Sequence, residues 1–160
     1  MRRTVQGIVL REINYKEADK ILTVLTREEG KLTLKARGCR RKNSRLLASS
    51  QLLGYSELAI TQRGEFITLA EGDPLTQFRR LGEDIDKLAL ASYFAEVTEK
   101  TVQEGEVCPD ILSLLLNCLY ALDTLDALVA LVSFVTLSPV RHLEVDGVAV
   151  PVNSIGVGTH

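Results

Sequence analysis

Six of the eleven residues numbered 35–45 are basic, namely Lys35, Arg37, Arg40, Arg41, Lys42 and Arg45, and none is acidic. Cations at that density suit a polyphosphate. They line one edge, while Gly38 and Ser44 let the backbone come close and offer its own N–H groups. Binding of this kind is dominated by counterion release, so it depends strongly on salt and hardly on base sequence. A solvated basic loop with no partner has the same composition, and the pattern alone ranks the two readings about equally. Position favours the first: the stretch leaves the third of five expected strands, in a half of the chain that is itself strongly basic.

Other residues are weaker candidates. Arg2, Arg3, Arg11, Lys20 and Arg63 extend a possible groove, although each alone reads as an ordinary exposed strand residue; Arg11 is carried with the basic stretch as a candidate contact. Tyr15, in a turn beside Lys16, is the aromatic best placed to stack on a base, a contact worth about 1–3 kcal/mol. Tyr55 and Phe66 fall on expected strands and read as core. Arg79 and Arg80 fit either a nucleic acid or a seam between domains. No glycine-rich nucleotide loop, Gly-x-Ser-x-Gly elbow or His-Glu-x-x-His pair is present, so no enzyme is expected. The carboxylate pairs Glu28/Glu29 and Asp84/Asp86 read as a turn and a helix start. Cys39, Cys108 and Cys118 form no Cys-x-x-Cys pair, and His142 and His160 have no ligand at metal spacing, so neither a metal nor another cofactor is expected.

The net charge of −2 conceals an asymmetry. Residues 1–80 hold 16 Lys+Arg against 9 Asp+Glu, a balance of +7, and residues 81–160 hold 3 against 12, a balance of −9. The elements change at the same place. Segments 4–13, 20–26, 32–37, 55–62 and 65–71 are rich in Val, Ile, Leu and Thr, alternate in part, and are separated by turn-like residues. Five short strands in about 70 residues bury themselves best as a small closed barrel. Beyond Asp73-Pro74 the apolar period becomes helical. A first helix is expected over 81–102 with Ile85, Leu88, Ala89, Ala91, Ser92, Ala95 and Val97 on its inner face and Gly105 as its stop, a second over 109–122, and a third over 124–137. The fold class is therefore α+β: a five-stranded barrel over 1–80, an α-helical domain over 81–139, and an irregular tail over 140–160. No apolar run reaches the roughly 18 residues of a membrane span, and the start of the chain lacks the apolar stretch of a signal peptide, so a cytoplasmic protein is expected.

Gly7-Ile-Val-Leu-Arg11, the run from Tyr15 to Lys31, the run from Ala36 to Leu46, Leu53-Gly-Tyr-Ser-Glu-Leu58, Phe78-Arg-Arg-Leu81 and the run from Leu88 to Val97 form an ordered series of blocks. In that order they resemble the opening of the RecO family, bacterial mediators of DNA repair and recombination, over roughly the first 125–140 residues. The resemblance implies an N-terminal oligonucleotide-binding (OB) barrel followed by a helical domain, with no catalysis. It further implies binding of single- and double-stranded DNA, annealing of complementary strands, contact with RecR and with single-stranded-DNA-binding protein, indirect help in loading RecA, and a bacterial cytoplasmic, nucleoid-associated location. The family's DNA-contacting positions fall on Lys35, Arg37, Arg40, Arg41, Lys42 and Arg45. Members of the family run longer, many with paired Cys-x-x-Cys motifs for a structural zinc after the helices. Here Val148-Ala-Val150-Pro151 stands in that place. No zinc is carried over, and a C-terminus that is shortened or frame-altered, with an incomplete helical domain, is expected. Two alternatives follow: a module that binds RecR without annealing DNA, and an inactive truncated product.

Overall fold

The computed structural model describes residues 1–124, Val132 and residues 134–136, and the backbone of 142–145 and 148–151. Five strands come first: β1 (Arg2–Tyr15), β2 (Asp19–Thr26), β3 (Gly30–Ala36), β4 (Tyr55–Arg63) and β5 (Phe66–Thr76). Alternation decides which side chains point inward. In β3, Leu32, Leu34 and Ala36 are buried while Lys31, Thr33 and Lys35 face out. The strands close into a barrel in the order β1-β2-β3-β5-β4, with β4 pairing back on β1 and β3 meeting β5 in parallel at Lys35 and Thr68. This is the five-stranded OB barrel expected from the sequence, and closure leaves none of its strands with an open edge. β5 runs to Thr76, five residues beyond the expected end, through Pro74. Pro74 is tolerated because its pairing with Ser56 lies next to a register shift, where a missing N–H breaks no regular ladder.

Two cores share β1. Val5, Val9, Leu22, Val24, Leu34, Leu58, Ile60 and Leu69 fill the barrel, whereas Ile8 and Leu10, with Leu25 of β2, pack outward against the helices. A bulge between Val9 and Arg11 lies where β1 passes from one environment to the other. The helical half thus covers the outer face of β1 and β2.

A 3-10 turn (Arg79–Glu83) leads into α1 (Ile85–Thr101), which Asp84 caps by accepting hydrogen bonds from the N–H groups of Asp86 and Lys87. α2 (Pro109–Thr124) begins on a proline, whose missing N–H is harmless at that position. The inner face of α1 keeps Ala91 and Ala95 of the one expected and otherwise differs from it. Ala91, Phe94, Ala95 and Thr98 are buried and Ile85 is 82% exposed. The preceding turn inserts Leu81 into the core, and Phe94 stacks on Phe134 with ring centroids 4.2 Å apart; these long-range partners fix the rotation of a helix with apolar residues on several sides. Of the expected third helix, Val132 and residues 134–136 are helical, and residues 125–131, 133 and 137 lie outside the described residues. Residues 140–160, expected to be irregular, include the antiparallel pair β6 (His142–Val145) and β7 (Val148–Pro151), the rest of that segment being outside the described residues. Among the described residues, no helix is long and apolar enough to cross a membrane.

One partly buried polar pair ties three segments of the barrel together. Lys20, only 7% exposed, donates to Glu12 Oε2 at 3.0 Å, and the same carboxylate accepts from the Leu52 N–H at 3.1 Å. Strand β1, strand β2 and the β3–β4 connection meet there. Lys20→Met is expected to lower stability by about 2–4 kcal/mol, because it strands the Glu12 carboxylate without its counter-charge. Adding Glu12→Gln should recover part of that loss, since the two sites are directly coupled. Denaturant midpoints check both, and a single variant as stable as the parent protein would show the pair to be dispensable.

Candidate nucleic-acid interface

The connection between β3 and β4, residues 37–54, is a succession of turns without a regular helix, yet it is firmly seated. Cys39 and Leu46 are buried in the barrel core, closing the end from which β3 emerges, and Leu53 is buried in the helix-facing core. Polar contacts reinforce the seat. The Gly38 N–H donates to Asp19 Oδ1 at 2.8 Å, the Arg40 N–H to the Ala18 carbonyl at 3.0 Å, and the Leu53 N–H to the Val9 carbonyl at 2.9 Å. Gly72 of β5 admits the loop closely: a Cβ there would fall 2.1 Å from Ser49 Oγ.

With Cys39 and Leu46 drawn inward, Arg37, Arg40, Arg41, Lys42 and Arg45 are all exposed. None of the five has a carboxylate partner among the described residues. Arg41 folds back over Gly38, and Arg40 reaches the Lys16 carbonyl at 3.5 Å. Lys35, on the outer face of β3, holds its ammonium 4.8 Å from the ring centroid of Tyr15, and Lys16 lies 5.4 Å from the same ring. Tyr15 therefore joins the stretch as a platform for two cations. The fold brings together Lys35, Arg37, Arg40, Arg41, Lys42, Arg45 and Tyr15 at one end of the barrel.

Arg11 is placed elsewhere. It lines a cleft between β1 and α1 with Glu12, Glu96, Glu99 and Lys100. The Glu96 carboxyl there is held below the usual carboxylate range by its hydrogen bond from Lys100, then by the Lys100 charge, and in a smaller part by the charge of Arg11. Three further cations are already paired: Lys20 with Glu12, Arg2 with Glu71 at 2.9 Å, and Arg3 with Glu29, its Nη2 donating at 2.8 Å. That hydrogen bond is also the main reason the Arg3 guanidinium is held above its ordinary pKa. Charge counting along a strand does not distinguish such cations from available ones, because the partners come from other strands and from the β2–β3 turn.

Arg63 does belong near the stretch, and with it a residue that the sequence assigned to the core. Tyr55 is buried as expected, its hydroxyl donating to Gln6 Oε1 at 3.0 Å. Phe66 is instead 81% exposed. It opens β5 on the outward side of the alternation, opposite Arg63 across the tight turn that Gly64 makes at φ 62°. Arg37, Thr61, Arg63, Phe66 and Thr68 line a cavity of about 400 Å³ on the barrel's outer surface. The available signal was the hairpin itself, since Arg63-Gly64-Glu65-Phe66 puts Phe66 at a tip where little can cover it.

Comparison with known proteins agrees with this architecture. Residues 1–78 match the family model described as Recombination protein O N terminal, and residues 82–137 match the one described as Recombination protein O C terminal. The DNA repair protein RecO of Acetivibrio thermocellus is 34% identical over 116 residues, covering 72% of this chain and 46% of that relative. For the RecO protein of Caldicellulosiruptor saccharolyticus the values are 38% over 117 residues, covering 73% and 48%. For that of Bacillus subtilis they are 36% over 118 residues, covering 74% and 46%. The chain spans about half the length of the curated relatives it matches.

Proposed function

Because this chain belongs to the RecO family of DNA repair proteins, we propose that its barrel binds single- and double-stranded DNA through the basic rim formed by Lys35, Arg37, Arg40, Arg41, Lys42 and Arg45. The observation that carries this reading is the seating of the loop. Cys39 and Leu46 are spent inside the barrel, so the cations between and around them are held outward, without acidic partners among the described residues. A fixed row of cations loses less conformational freedom on meeting phosphates than a floppy one. The rim also lies at the end of β3, beside the strand 2–3 face that OB barrels use for oligonucleotides. Phosphate contacts of this type position a strand without reading its bases, which suits a protein that must accept any sequence.

On this reading the protein is a non-enzymatic mediator. It brings complementary strands together, works with RecR and single-stranded-DNA-binding protein, and thereby assists RecA. The helical half is acidic and would repel a polyanion, so DNA contact is assigned to the barrel. The alternative is a module that docks on RecR and leaves DNA unannealed.

The test is annealing of complementary oligonucleotides coated with single-stranded-DNA-binding protein, run beside equilibrium binding at two salt concentrations. Annealing should exceed the protein-free rate. If all six cations meet phosphates, affinity for a single strand should fall on the order of 10²–10³-fold between 50 and 200 mM salt. Binding that is flat in salt, with annealing at the protein-free rate, would sink the proposal.

A further inference from the structure

We infer that Phe66 is a stacking platform for an unpaired nucleobase, which gives the barrel a preference for single strands that its basic rim cannot supply. The inference rests on the reading of the rim as a phosphate-binding surface, and it adds a second chemistry beside it. The Phe66 ring is 81% exposed on the barrel surface, so its face is open to a ligand. Its neighbours are those a nucleotide needs. Arg37 and Arg63 share the 400 Å³ cavity with it and supply charge for a phosphate, while Thr61 and Thr68 supply hydroxyls on the cavity's wall. Among the described residues, no carboxylate lines that cavity.

The cavity is continuous with the rim. Thr68 pairs with Lys35 where β5 meets β3, and Arg37 follows Lys35 by two residues. A strand whose backbone runs along residues 35–45 therefore passes beside Phe66, at the tip of the β4–β5 hairpin. Paired bases in a duplex are stacked on one another and present no free face, whereas every base of a single strand has one. The rim is indifferent to strandedness and Phe66 is not.

The chain contains no tryptophan, so Phe66→Trp places a single indole reporter at the platform. Titrated with oligo(dT), that variant should show its emission quenched as a base stacks on the ring. Phe66→Ala should bind oligo(dT) roughly 5- to 150-fold more weakly, the range expected for one stacked base. It should bind a blunt duplex within about twofold of the parent, and it should equal the parent on an abasic strand that offers phosphates alone. Circular dichroism confirms that the exposed substitution leaves the fold intact. An unquenched indole, parental oligo(dT) affinity for Phe66→Ala, or an equal loss on duplex and single strand would each overturn the platform. Lys42→Glu/Arg45→Glu separates the two ideas. If that variant loses binding while Phe66→Ala does not, the rim stands and the platform falls; if neither loses binding, the rim falls as well.

Discussion

Lys42→Glu/Arg45→Glu is expected to weaken single-stranded DNA binding by roughly 60-fold at 50 mM salt and to flatten its salt dependence. Each phosphate contact on a single strand contributes about 0.7 to the slope of log affinity against log salt, so losing two lowers the slope by about 1.4. Taken from 1 M, where such contacts are screened, to 50 mM, that slope difference amounts to about 60-fold. Both side chains are exposed and neither has an acidic partner among the described residues, so stability should not change. Lys100→Glu is the control away from the rim, changing net charge by −2 where the double variant changes it by −4. Lys100 sits on α1, paired with Glu96 at 2.8 Å, and its reversal changes net charge without touching the rim. Salt titrations with a labelled oligonucleotide provide the readout. An unchanged slope in the double variant would mean that these two residues meet no phosphate, and a fall in the control about half as large as the double variant's would mean that net charge rather than the seated loop governs binding.

Gly30→Ala should destabilise the protein by about 2–5 kcal/mol and lower its melting temperature by roughly 5–15 °C. Two penalties coincide at this residue. Its φ of 73° lies in the left-handed region, and an added Cβ would meet the backbone carbonyl oxygen of Glu106 at 2.1 Å. The segment after α1 docks here on the start of β3: the Gly105 N–H donates to the Lys31 carbonyl at 3.0 Å, and Lys31 Nζ donates to the Glu99 carbonyl at 2.7 Å. Relief of the clash must push that segment away, so loosening should concentrate between the barrel and the helices. Amide exchange at Gly105 should accelerate most. The rim lies at the other end of β3, so DNA affinity measured well below the melting temperature should stay within about twofold of the parent's. A melting temperature within 2 °C of the parent's would contradict the close packing at Glu106.

The barrel was legible in the sequence because its strands alternate and are short, so the closed arrangement is the economical way to bury them; all five appear with boundaries shifted by a few residues at most, β5 extending furthest. The basic stretch was legible because charge is read directly. Availability was not. Lys20 reads as an ordinary exposed strand residue able to extend a groove and is instead buried and paired with Glu12, because the register that brings β1 against β2 is a tertiary fact. Phe66 looked like core because a phenylalanine on a strand usually is, and only the side of the sheet on which it falls decides the matter. Cys39 is the plainest case. Between Gly38 and Arg40 it reads as an incidental thiol, yet its insertion into the barrel is part of what makes the neighbouring arginines a surface.

The coverage of β1 and β2 by the helices makes the molecule an electrical dipole. Described residues 81–124 carry nine Asp and Glu against two Lys and pack over β1 and β2, whereas the basic residues 35–45 lie at the end of β3. Near a line of phosphates such an object experiences a torque that turns its basic end inward before contact. At physiological ionic strength the field decays over about 8 Å, so the turning happens in the last moments of approach. Orientation is then selected during the encounter itself, and fewer collisions are wasted on the acidic side.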